Sequence, residues 1–133
     1  MGKEKEDYLR TIYELEEHEN GVRSVEISKK LKITKASVSE MLRKLAKEDL
    51  IKIKPYSKIF LTRKGRKVAE QLFDKYYTIK SFIKKFLKYE QEQAKEEACK
   101  LEHAFSDEGV KIIEKLMGEN QGEELRGLPG YVG

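Results

Sequence analysis

Apolar residues recur at helical spacing along most of the chain. From Glu6 to Glu17, the positions Tyr8, Leu9, Ile12, Tyr13 and Leu15 mark one stripe and predict a first helix, closed by a turn at Glu19-Asn20-Gly21. Val22-Arg23 adds a short extended piece. Ser24, read as a helix cap, opens a short second helix to Leu31. After Lys32-Ile33, Thr34 is suited to cap a third, because its hydroxyl can accept an orphan N–H of the first turn. Val38, Met41, Leu42 and Leu45 then follow the i, i+3, i+4, i+7 rhythm of a buried face. Leu50 to Lys54 and Ile59 to Thr62 alternate like strands on either side of a Pro55 turn, giving a hairpin, or wing. A short helix, a tight turn, a second helix and a wing predict a winged helix-turn-helix.

Beyond Thr62, read as another cap, the 3/4 spacing runs from Val68 almost to Tyr89, with no Pro or Gly after Gly65. That predicts one helix of about 27 residues, longer than most globular helices, unless it kinks near Lys75. Glu90 to Ala104 predicts a further helix with an acidic first turn, as the helix dipole favours. Ser106 caps another that carries Val110, Ile113, Leu116 and Met117 to a stop at Gly118. Residues 118–133 hold five of the nine glycines and read as a flexible tail. The expected fold class is therefore mainly α: a winged helix-turn-helix over 1–72, an all-helical domain over 73–117 and a tail over 118–133.

Charge sharpens this outline. Between Arg23 and Lys67 there are 15 Lys and Arg against 4 Asp and Glu, in a chain whose net charge is only +4. A basic excess confined to a helix-turn-helix and its wing is the pattern expected for neutralising phosphates, whereas lysine-rich helix faces elsewhere are mostly just solvated. No run approaches a membrane span, and one cysteine fits a reducing, cytoplasmic setting. High charge with modest apolar content makes a purely monomeric core thin and favours oligomerisation.

Cys99, Glu102 and His103 fall at i, i+3 and i+4, on one side of a helix. A thiol, a carboxylate and an imidazole together suit a borderline divalent transition metal better than calcium or magnesium. A lone cysteine is also commonly a small buried hydrophobe, and a Glu-His pair is commonly surface. A fourth ligand is needed; Asp7 is the candidate, with capping of the first helix as its alternative role.

The blocks Asp7–Glu16, the helix-turn-helix with Val38-Ser39, Leu61–Arg66 and Glu97–Asp107 resemble the diphtheria toxin repressor family, which includes the manganese transport regulators. The likeness spans roughly residues 5–117, and its last block is the most specific. It implies a metal-dependent transcriptional repressor rather than an enzyme. In such a repressor a winged helix binds double-stranded operator DNA, the later helices form a homodimer, and Fe(II) or Mn(II) activates repression of metal-uptake genes. No membrane and no small-molecule substrate are implied.

Carried over by position, Cys99, Glu102 and His103 fall on the family's regulatory metal site. Asp7 stands where iron sensors place methionine and manganese sensors aspartate. The thiolate suits Fe(II), Zn(II) or Co(II), and the carboxylate keeps Mn(II) in play. A second metal site departs from the pattern, because Arg10, Tyr76, Lys80 and Lys95 stand where ligands are expected, and a protonated lysine has no lone pair to give. Lys80 or Lys95 would either hold a fixed positive charge in place of that ion or simply form a salt bridge. The resemblance also places Thr34, Ala36, Ser37 and Glu40 at base edges, although Glu40 could instead pair with Lys44. Lys35, Ser39, Lys44, Lys47, Ser57 and Lys58 would lie near phosphates. The chain ends before the SH3-like domain of longer iron sensors. Three readings compete with this one: a metal-independent winged-helix regulator with a vestigial site, a protein-interaction module, and a thiol enzyme using Cys99 and His103, for which no orienting third group is apparent.

Overall fold

A computed structural model of the protein describes residues 2–16 and 20–125. The elements run α1 (Lys3–Leu15), β1 (Val22–Arg23), α2 (Ser24–Leu31), α3 (Lys35–Lys47), β2 (Ile51–Lys54), β3 (Lys58–Leu61), α4 (Arg63–Phe86), α5 (Gln91–Leu101) and α6 (Asp107–Leu125). The fold is mainly α with a small wing, as expected. The chain forms two compact units, the first ending at Phe73 and the second beginning at Asp74.

In the first unit, α1, α2 and α3 press their apolar stripes onto one face of a three-stranded sheet. The sheet order is β1-β3-β2, all antiparallel, with Val22 opposite Ile59 and Ile51 opposite Leu61. Leu9, Ile12, Val22, Ile27, Val38, Leu45, Ile51 and Ile59 are essentially inaccessible to water. Burial of that many apolar side chains is the main favourable term holding the unit together.

Two junctions fix where α3 and the wing sit. Between α2 and α3, Lys32 takes a left-handed conformation (φ 56°), while Ser28 receives the Ile33 N–H on its carbonyl and donates its hydroxyl to the Ile33 carbonyl at 2.6 Å. Thr34 then caps α3, its Oγ1 accepting the Ser37 N–H at 3.1 Å. After α3, the Leu50 N–H returns to the Leu45 carbonyl, closing the helix through left-handed Asp49. Thr62 ties this corner to α4: its hydroxyl donates to the Asp49 carbonyl at 2.7 Å and accepts the Gly65 N–H at 2.9 Å. A side chain on Gly65 would place its Cβ 1.8 Å from the Leu50 carbonyl oxygen, so only glycine permits this contact.

The second unit has a smaller core, in which Tyr76, Ile79 and Ile83 of α4 meet Ala94, Ala98 and Val110. Ser106 caps α6 by accepting the Gly109 N–H at 3.0 Å, as the sequence predicts. No helix among the described residues is long and apolar enough to cross a membrane.

Several boundaries differ from the sequence reading. α1 starts at Lys3 rather than Glu6, so Asp7 lies inside the helix and does not cap it. Arg23, not Ser24, caps α2, and its N–H is taken by the Glu26 carboxylate at 3.1 Å. α4 is continuous and ends at Phe86, because Lys88 turns left-handed (φ 60°), a conformation that ends a helix. α5 stops at Leu101 instead of Ala104: the Ala104 and Phe105 N–H groups both go to the Leu101 carbonyl, tightening the chain into a turn. α6 passes through Gly118 and Gly122 to Leu125, since each glycine weakens a helix by only about 1 kcal/mol and need not stop it. The rest of the expected tail, 126–133, and part of the turn after α1, 17–19, lie outside the described residues.

Candidate functional site

The residues assigned to DNA gather on one exposed surface of the first unit. Thr34, Lys35, Ala36, Ser37, Ser39, Glu40, Lys44 and Lys47 are all solvent-exposed on or just before α3, while Val38, Met41, Leu42 and Leu45 hold its other face in the core. The helix therefore offers small side chains at its start, where backbone must approach a partner closely, and cations further along. Glu40 lies 3.8 Å from Lys44, the i, i+4 pairing anticipated as its alternative role. Ser57 is exposed and Lys58 half-buried at the end of the wing.

Arg43 and Ser24, absent from the sequence-based assignment, line a cavity of about 260 Å³ with Ser39 and Ser57, between α3 and the wing. The signal for Arg43 was its place on the polar face of α3, one turn beyond Ser39. Ser24 gave none, because only the fold brings the start of α2 to that cavity. The tip between the strands is shaped by Tyr56 and Ser57, both left-handed (φ 66° and 56°), and Tyr56 is 91% exposed.

Asp7 lies in the second turn of α1. It borders a cavity of about 330 Å³ in the first unit, shared with Tyr8, Ile33, Ser37, Glu40 and Lys44. Arg10, one turn on, is buried, with its guanidinium 2.8 Å from Glu14 and 3.6 Å from Asp7. Burial raises the Tyr8 phenol above its ordinary value of 10.0, and the charge of Glu4 adds to the rise.

In the second unit, the end of α5 carries the metal-ligand pattern. Cys99 is half-buried against the core of that unit. Glu102 follows the last helical residue with its side chain almost wholly buried, and its Oε1 lies 3.3 Å from Nε2 of His103. A carboxylate removed from water needs a compensating positive group, and the imidazole beside it makes with it a carboxylate–imidazole pair to which a thiol three positions earlier in the sequence adds a softer donor, a set of types suited to a soft or borderline divalent ion. The residues present fit such an ion.

The residues at the departed second site each have a different occupation. Tyr76 is part of the second core, and Lys80 stands 5.5 Å from the ring centres of Tyr76 and Tyr77. Lys95 is exposed and lies 3.6 Å from Glu92. With Arg10 committed to Glu14, these positions present cations and an aromatic ring.

Comparison with known proteins gives this pattern a family. The profile described as "Iron dependent repressor, N-terminal DNA binding domain" matches residues 1–59, and "Iron dependent repressor, metal binding and dimerisation domain" matches 62–124. An uncharacterized HTH-type transcriptional regulator of Methanocaldococcus jannaschii is 41% identical over 117 residues, 87% of this chain and 91% of that protein. The diphtheria toxin repressor of Corynebacterium glutamicum is 27% identical over 132 residues, 96% of this chain but 58% of the repressor. Among solved structures, the manganese regulator SloR superposes with a TM-score of 0.76 at 37% identity, over 86% of this chain and 53% of SloR. The chain thus spans little more than half the length of those two regulators. The exposed reading helix and the buried Glu102 beside His103 lie in the two halves matched by the two profiles: the chain belongs to the iron dependent repressor family, a family of metal-dependent transcriptional repressors and not of enzymes.

Proposed function

We propose that the protein is a repressor switched by one divalent metal ion per subunit, Fe(II) or Mn(II), acting as a homodimer on operator DNA that controls metal-uptake genes. The observation that carries the metal half of this reading is the buried carboxylate of Glu102 in contact with His103. Cys99 adds a thiolate, and the family resemblance adds Asp7 as fourth ligand. Zn(II) and Co(II) satisfy the same donor set.

When bound, the ion supplies a positive charge and fixed ligand directions. The resemblance assigns the chain four ligands, Asp7 near the start of the sequence and Cys99, Glu102 and His103 near its end. Metal can switch operator binding only by favouring one state of the protein over the rest. A coupling of roughly 1–3 kcal/mol corresponds to about 5- to 150-fold in operator affinity.

On the DNA side, Thr34, Ala36, Ser37 and Glu40 are proposed to read base edges. Lys35, Ser39, Lys44, Lys47, Ser57 and Lys58 are proposed to hold phosphates and so set register. Neutralising about six phosphates gives a log–log salt slope near about −5. Support for a single metal comes from the cationic character of Arg10, Lys80 and Lys95 and from the engagement of Arg10 with Glu14.

The test is selection of an operator from random duplexes under anaerobic Fe(II), Mn(II), Zn(II) or chelator, with metal content measured alongside. Binding is expected to need metal and to lose that need for metal, together with its affinity gain, in Cys99→Ala and His103→Ala. Equal affinity with and without chelator would overturn the metal switch, and a flat salt response would overturn DNA binding. Lys80→Glu combined with Lys95→His is expected to raise bound metal above one per subunit; unchanged content counts against the substituted-site reading.

A further inference from the structure

A second basic surface lies on the other side of the wing from the core. Strand alternation sends Ile51, Ile59 and Leu61 inward, so Lys52, Lys54 and Phe60 share the outer face, with Lys52 directly opposite Phe60 and Lys54 opposite Lys58. The Nζ of Lys54 sits 4.5 Å above the Phe60 ring, a cation–π contact that holds the lysine flat along the sheet. The first turns of α4 add Arg63 and Lys67, both exposed, and together these side chains border an open cavity of about 720 Å³. The acidic groups bordering it are Asp49 and Glu16, and Glu16 is already engaged by Arg66 at 2.6 Å. The groove is therefore strongly positive, and nothing in the reading of α3 uses it.

Its position suggests the occupant. Lys54 and Lys58 pair at the tip end of the hairpin, and the next residue back, Ser57, faces the cavity shared with Ser39 and Arg43 of the reading surface. Positive charge thus continues from the reading surface, around the tip, onto the outer face.

We propose that this outer face of the wing, through Lys52, Lys54, Arg63 and Lys67, binds the sugar-phosphate backbone of the same duplex outside the half-site read by α3. Exposed lysine and arginine side chains on an open face suit phosphate oxygens, and contacts to phosphates add affinity without adding sequence preference. The inference rests on the DNA-binding reading above.

The experiment uses the full chain, metal-loaded, and two duplexes taken from the operator selection: one ending at the half-sites, the other extended by about one helical turn (roughly ten base pairs) on each side. The expected result is a steeper log–log salt slope on the long duplex, by about 2–4 for each subunit, from about 0.9 per phosphate contacted. Lys52→Gln/Lys54→Gln/Lys67→Gln is expected to remove most of that difference and to bind the short duplex as the wild type does. Equal wild-type slopes on both duplexes overturn the proposal, with no variant needed. So does a variant that loses the same affinity on both, which would put the groove within the half-site interface, and so does variant-sensitive bridging of two duplexes, which would make the occupant a second molecule. If the short duplex itself fails to bind the wild type, the DNA-binding reading fails instead.

Discussion

The two units solve the problem of burial differently. Among the described residues, the first gathers fourteen buried apolar side chains from four helices, the sheet and the turn before β2, whereas the second gathers six. The second also carries most of the large apolar groups left in water: Tyr77, Phe86, Leu87, Tyr89, Ile112 and Leu116, against Ile53 and Tyr56 in the first. A small core with much exposed apolar surface is what a chain shows when part of its burial is completed by another copy. That agrees with a dimerising family. The contrast teaches that the first unit closes its core largely with its own side chains, while the second leaves apolar surface that another copy could cover.

The largest effects that could break this contrast come from the two cores. Leu9→Ala and Ile83→Ala each remove a side chain essentially closed to water, and each is expected to cost about 2–5 kcal/mol. Thermal melts followed by circular dichroism at several protein concentrations separate them. For Ile83→Ala the midpoint is expected to rise with concentration, because association and folding of that unit are linked. A midpoint independent of concentration in that variant would erase the distinction between the units.

A smaller effect sharpens the account of the reading helix. Thr34→Ala removes the acceptor of the Ser37 N–H and is expected to cost about 0.5–2 kcal/mol of stability. Amide exchange at Ser37 should accelerate more than exchange at Leu45. Uniform acceleration along α3 would mean that the cap does not act locally.

The smallest effect is on alkaline stability. The Tyr8 phenol in the folded chain titrates above 10.0, through burial first and Glu4 second, so the unfolded chain gives up this proton at lower pH. The associated stability is fully present below about pH 10 and is lost as pH rises through the folded value. Tyr8→Phe is expected to flatten that part of the urea-midpoint profile above pH 10 and to leave it unchanged at pH 7. A profile identical to wild type would discount the phenol.

How much of this was legible in the sequence follows from how local each cause is. The stripe of α3, the Thr34 and Ser106 caps and the Pro55 turn depend on residues a few positions apart, and the pattern displays them. Ends that depend on backbone conformation were harder to see. Left-handed Lys88 stops α4 without a glycine to announce it, and Gly118 announces a stop that α6 ignores. The start of α1 is hidden in the sequence because Lys3 to Glu6 carry no apolar rhythm, and a start at Glu6 offers Asp7 a capping role that the helix from Lys3 does not give it. For the candidate metal ligands, the i, i+3, i+4 spacing located the trio. It could not tell that the helix would close at Leu101, setting Glu102 and His103 in the turn beyond it. The basic outer face of the wing is present as Lys52 and Lys54 in an Ile-Lys-Ile-Lys alternation, yet only the strand register shows that Phe60 lies directly opposite Lys52.

The Gly65 contact carries a consequence for how such a regulator can diversify. Where a methyl group cannot be accommodated against a main-chain oxygen, no ordinary substitution can retune the angle at which the hairpin leaves its base. Change at this joint is closed to any side chain, while the solvent-facing positions of α3 and the hairpin tip are free of that constraint, like a ruler whose markings can be repainted but whose length is set.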